Sequence, residues 1–152
     1  MRTIYDTATE LLGKIASESD CGGFAWVHVG QVAWDHCDQL TVSIMGMNTG
    51  TPGGGGFSSL PGGRQVVCGP VTVRAQVQRV WCVPVSDSKG NPPTIDAMAQ
   101  SGSESVWELD ALWKATADAL RSVDCSGQIT GAEALGPEGG LAGWGINIEW
   151  TR

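Results

Sequence analysis

The run from Trp144 to Thr151 constrains this chain most. Trp144, Ile146, Ile148 and Trp150 hold every second position, and Gly145, Asn147, Glu149 and Thr151 fill the places between. A period of two sends successive side chains to opposite faces, so the run reads as a half-buried strand. Its apolar side needs a covering layer and its backbone needs neighbours, so the strand implies a sheet with one dry face.

Other stretches supply those neighbours. Val66 to Val83 is the longest strand signal. Val71, Val73, Ala75 and Val77 lie on one side, expected to be core, and Thr72, Arg74, Gln76 and Gln78 on the other, expected to be wet. Pro70 argues for a bulge or an edge position near its start. Phe24 to Trp34 is rich in aromatic and branched residues, and Leu40 to Met45 alternates cleanly. Asp35 to Gln39 between them is short enough for a hairpin turn, which predicts an antiparallel pair. Gly127 to Ala134 fits a further strand, followed by a Gly and Pro loop from Leu135 to Gly143.

Two helices are predicted to cover the sheet. From Ile4 to Glu18, Ile4, Ala8, Leu11, Leu12 and Ile15 form one stripe at spacings of three and four, before Gly22-Gly23 ends the segment. Thr7 and Glu10 fit a capping box, and Thr3 fits an earlier cap. Thr94 to Val123 is the second, with Val106, Leu109, Trp113, Ala117 and Leu120 as its expected apolar face and Gly102 as a point where it can split. Glu104, Glu108 and Asp110 lie early and Arg121 late, as the helix dipole favours. A turn rich in Asp, Gly, Asn and Pro, Ser86 to Pro93, precedes it. The order is helix, three strands, helix, two strands, without an internal repeat. The expected fold is α+β: a largely antiparallel sheet of about four to five strands packed by an N-terminal helix and a long second helix. At 152 residues the chain fits one domain, 1–152.

Asn48 to Arg64 cannot hold a helix or a strand interior, because it contains Gly50, Pro52, Gly53 to Gly56, Pro61, Gly62 and Gly63. A loop of this length is more often functional or disordered than decorative. Phe57, Leu60 and Arg64 are its candidate inter-subunit contacts, set against a reading in which the loop is merely floppy. Seven tryptophans, Trp26, Trp34, Trp81, Trp107, Trp113, Trp144 and Trp150, are many for one domain. They either cover subunit interfaces, where aromatic residues are enriched, or pack inside and half-exposed.

No catalytic constellation stands out. His28 and His36 are the only histidines, and in Asp35-His36-Cys37-Asp38 adjacent side chains point apart, so His36 and Cys37 do not form a dyad. No Cys or His pair has zinc-site spacing. The glycines at Gly53 to Gly56 lack the G-x-x-x-x-G-K-[ST] of a phosphate loop. No cofactor, metal or catalytic residue is expected, and the chain is read as not an enzyme. The five cysteines, Cys21, Cys37, Cys68, Cys82 and Cys125, are odd in number and lack C-x-x-C, so we expect them reduced and mostly buried. The opening Met1-Arg2-Thr3 lacks the roughly 7 to 15 apolar residues of a signal peptide, so export by that route is not expected. No apolar run approaches the roughly 18 residues of a membrane helix. A net charge of −7 opposes adhesion to nucleic acid or anionic membrane.

Three stretches and the order of elements carry a family resemblance. They are Val32-Ala33-Trp34-Asp35-His36-Cys37-Asp38-Gln39-Leu40-Thr41-Val42; the strand exit Trp81-Cys82-Val83-Pro84-Val85 leading to Asn91-Pro92-Pro93; and Gly136-Pro137-Glu138-Gly139-Gly140-Leu141-Ala142-Gly143-Trp144. With these the chain resembles the siphophage tail-terminator and head-to-tail connector proteins, the neck proteins of bacteriophages of actinobacterial hosts. The resemblance implies a structural virion protein made in the host cytoplasm and placed at the head-tail junction. There a homo-oligomer, a hexameric ring, terminates the tail tube and meets connector, stopper and tail-tube proteins. It implies no membrane and no sequence-specific nucleic acid, though genome DNA would pass through the ring. The loop 48–64 would then be an inter-ring contact. A head-closure or stopper protein is the nearest alternative. A small Cys/His-dependent hydrolase built on Cys37 and His28 is the alternative of another class.

Overall fold

The computed structural model describes residues 2–19, 23–49, 70–123 and 126–152. Its elements run α1 (Ile4–Glu18), β1 (Phe24–Val29), β2 (Gln39–Thr49), β3 (Val71–Cys82), α2 (Ile95–Ser122), β4 (Gln128–Glu138) and β5 (Leu141–Thr151). The strands form one sheet in the order β1-β2-β3-β5-β4. The fold is α+β, a mostly antiparallel five-stranded sheet with an N-terminal helix and a long second one.

Thr3 caps α1, the earlier of the two caps the sequence offers. Its hydroxyl accepts from the Asp6 N–H at 3.0 Å while the Asp6 carboxylate accepts from the Thr3 N–H at 2.7 Å. The Thr3 backbone N–H and then its side chain hold the Asp6 carboxyl below the ordinary carboxylate range. Thr94 caps α2 by accepting from the Ala97 N–H at 3.2 Å. That helix runs unbroken through Gly102, so the expected split does not occur; one glycine costs only about 1 kcal/mol in a helix.

Alternation places Leu40 and Val42 of β2, Val73, Ala75 and Val77 of β3, and Ile146, Ile148 and Trp150 of β5 on one face. Ala8, Leu11, Leu12 and Ile15 of α1 cover them together with Leu112, Ala115, Ala119 and Leu120 of α2. Burying each large aliphatic side chain contributes roughly 1.5–3 kcal/mol. The core face of α2 differs from the expected one. Leu120 is in it, but Val106 and Trp113 remain exposed, and the small Ala115, Thr116 and Ala119 are buried instead. Small side chains let the helix approach its neighbours closely, a property that hydropathy does not register. Trp144 ties the middle of α2 to β5 by donating its indole N–H to the Ser105 carbonyl oxygen at 2.9 Å.

Three boundaries also change. β1 and β2 are parallel, Phe24 beside Gln39 and Val29 beside Ile44, so the expected hairpin at Asp35 to Gln39 does not form. The chain turns earlier, at Gly30 with φ +83°, and residues 30–38 return along the sheet as a strap. The expected Gly and Pro loop after Leu135 is mostly strand: β4 and β5 form a hairpin closed by Gly139 and Gly140, both with the positive φ that such a two-residue turn requires. β2 extends through Asn48 and Thr49, so these two are strand and not the start of the Gly-rich loop that the sequence predicts.

Candidate functional site

Phe57, Leu60 and Arg64, the candidate contacts read from the sequence, lie outside the described residues. Two other surfaces stand out, one on each side of the sheet.

The first is a stripe on α2. Ile95, Met98, Val106, Leu109 and Trp113 follow one another at helical spacings that keep them on one side, with Gly102 between. Ile95 is 85% exposed, Met98 60%, Val106 59% and Trp113 42%. Trp107, 73% exposed, flanks them. The core uses the adjoining side of the helix, so α2 carries a second apolar surface that nothing among the described residues covers. Of the seven tryptophans only Trp150 is fully buried, and the two exposed ones are both on α2.

The second lies on the sheet face away from the helices. By register this face carries Gln39, Thr41 and Ser43 of β2, Gln76, Gln78 and Val80 of β3, and Gly145, Asn147 and Glu149 of β5. The sequence marks Gln76 and Gln78 as wet, yet both are buried. The strap explains this, because several contacts hold it down. Cys37 is disulfide-bonded to Cys82, their Cα atoms 5.0 Å apart. His36 stacks on Phe24 at 4.2 Å between ring centroids. Gln39 donates to the Ala33 carbonyl oxygen at 3.0 Å, and the Trp34 indole N–H donates to the Gln78 carboxamide oxygen at 3.3 Å. At the strap's end Asp38 pairs with Arg79, which is buried on the helix side of the sheet with Glu108 of α2 at 3.9 Å.

The disulfide corrects the expectation of reduced, buried cysteines: Cys37 and Cys82 are paired and exposed. Their separation of 45 residues hides the pair from any spacing rule. Cys21, Cys68 and Cys125 lie outside the described residues. With its sulfur bonded, Cys37 is not a free nucleophile for the Cys/His alternative.

Between the strap and the β4–β5 hairpin a cleft of ≈ 670 Å³ opens. Val32, Trp34, Met45, Leu135 and Leu141 provide its apolar lining, and Gln76, Gln78, Glu133 and Glu138 its polar one. Met45 reaches it because a register shift between Ile44 and Gly46 takes Met45 out of the ladder. The Gln78 carboxamide donates to that of Gln76, which donates to Glu133 and, at 3.0 Å, to the Asn147 side-chain oxygen. Gly145 makes this crossing possible: a Cβ there would fall 2.9 Å from the Gln76 carboxamide.

Among the described residues no group of three His, Cys, Asp or Glu converges as a metal site would need. No described helix is long and apolar enough to cross a membrane. The sequence matches no protein-family model, and no curated protein matches it as a relative.

Proposed function

We propose that this chain is a structural subunit of a bacteriophage neck, assembling into a ring at the head-tail junction that terminates the tail tube and joins it to the head connector. The observation that carries the reading is the uncovered apolar stripe of α2. A subunit that ends its life in an assembly keeps such a surface for its neighbour, whereas a lone chain exposes it to water at a cost. The order of elements on which the family resemblance rests, helix, three strands, helix, two strands, is also the order of the folded chain.

Sedimentation of the purified protein tests the assembly half. The wild type is expected to run as a ring or to join purified tails, and Met98→Glu with Val106→Glu is expected to leave a folded monomer that does neither. A wild type that stays monomeric and ignores tails and capsids overturns the reading. Electron microscopy of a deletion phage tests the position: overlong tails mark a terminator, leaking heads mark a stopper, and normal virions refute both.

A further inference from the structure

The cleft on the polar face combines apolar walls with an acidic end, and no Lys or Arg is among its described lining residues. Arg74, the cation on the same face of β3, is engaged by Glu149 at 2.8 Å. The cleft's volume of ≈ 670 Å³ falls within the roughly 300–1,000 Å³ usual for ligand sites. Its donors run in one direction. Trp34 donates to Gln78, Gln78 to Gln76, and Gln76 to Glu133. Aligned hydrogen bonds polarise one another, so the chain ends on a carboxylate whose negative charge the line of dipoles was built to meet. Glu138 adds a second carboxylate to the lining.

These features discriminate among occupants. An anion meets two carboxylates and no cation. A neutral apolar group fills the walls but strips water from Glu133 and Glu138 without replacing it. A lysine side chain lays its stem along the walls, but its ammonium is a strongly hydrated point charge that neither forks onto a carboxylate nor stacks flat on an indole. A guanidinium on an aliphatic stem does both: its fork matches a carboxylate, its plane stacks on an indole, and its methylenes lie along Leu135, Leu141 and Met45. Trp34 is suited to that stacking because its bond to Gln78 fixes the ring. We propose that this cleft is a docking site for an arginine side chain presented by a partner protein. It lies on the sheet face opposite the helices, so it is separate from the α2 stripe.

Titration of the full chain with N-acetyl-L-argininamide, followed by the Trp34 indole N–H resonance and identified by its loss in Trp34→Phe, tests the proposal. A saturable shift is expected, weakened by added salt. The citrulline analogue, equal in shape but uncharged, should bind at least about tenfold more weakly, and so should Glu133→Gln with Glu138→Gln. Glu138→Gln alone leaves the Gln76 bond to Glu133 in place and should still weaken binding, which separates loss of charge from loss of structure. A shift that never saturates, equal binding of the citrulline analogue, or full affinity in the double variant would overturn the assignment.

Discussion

Leu40 and Thr41 are consecutive residues of β2, both fully buried, and they face opposite sides of the sheet. Leu40 meets a core of aliphatic side chains supplied by two helices. On the side of Thr41 the sheet carries amides, hydroxyls and carboxylates, and the cover is a strap of irregular chain held by a disulfide and a few side-chain contacts. One face is dry and filled by volume; the other is buried but polar. Hydrophobic burial needs no direction, whereas a polar interior is stable only when each donor and acceptor finds a partner. The first face therefore tolerates approximate placement. The second depends on the strap lying where it does.

The largest expected effect belongs to the dry face. Leu40→Ala removes a side chain with 0% exposure and should cost about 4 kcal/mol, since the surroundings collapse only partly around the cavity. Chemical denaturation measures it. A loss under about 1 kcal/mol would mean that the helix-covered face is not the main source of stability.

Cys37→Ser tests the other face. The disulfide joins residues 45 apart, and loop-closure entropy for such a span sets a ceiling near 4 kcal/mol, reduced by residual structure in the unfolded chain to about 3. The comparison is sharpened by where the loss appears. Hydrogen exchange should rise first in the strap, while the amides of Leu11 and Ile146 keep their protection. Uniform loss across both faces would show the strap to be part of the main cooperative unit.

The contrast between faces is also the boundary of what the sequence discloses. Alternation in β3 and β5 and the stripe of α1 locate the dry face, because each burial there is written in a local period. The strap is not local. Its turn depends on Gly30 adopting a positive φ, and the parallel pairing of β1 with β2 follows from that turn. Gln76 and Gln78 look like solvent-facing residues until Trp34 and Gly145, distant in the chain, are seen beside them. In α2 the largest apolar residues suggest the core face, yet Val106 and Trp113 stay outside and Ala115 and Ala119 go in. Size misleads here because the buried stripe of α2, Leu112, Ala115, Thr116, Ala119 and Leu120, mixes large residues with small ones. The Gly-rich stretch past Thr49, with its candidate contacts Phe57, Leu60 and Arg64, falls outside the described residues.

The smallest effect is the most pointed. The hydroxyl of Thr41 is buried and has no hydrogen-bond partner among the described residues, and the same holds for the Ser43 hydroxyl and the Gln39 carboxamide oxygen beside it. A buried polar atom without a partner costs about 1–3 kcal/mol, and removing it recovers part of that cost. Thr41→Val keeps the branched shape that a strand prefers and should stabilise the protein by about 1 kcal/mol or less. On the dry face the matching replacement, Val42→Thr, should do the reverse by burying a hydroxyl among aliphatic groups. If Thr41→Val instead destabilises, a bridging water satisfies the row of Gln39, Thr41 and Ser43, and the polar face is complete beneath its strap. The sign of one isosteric change thus decides whether that face is held by the strap alone or by the strap and ordered solvent together.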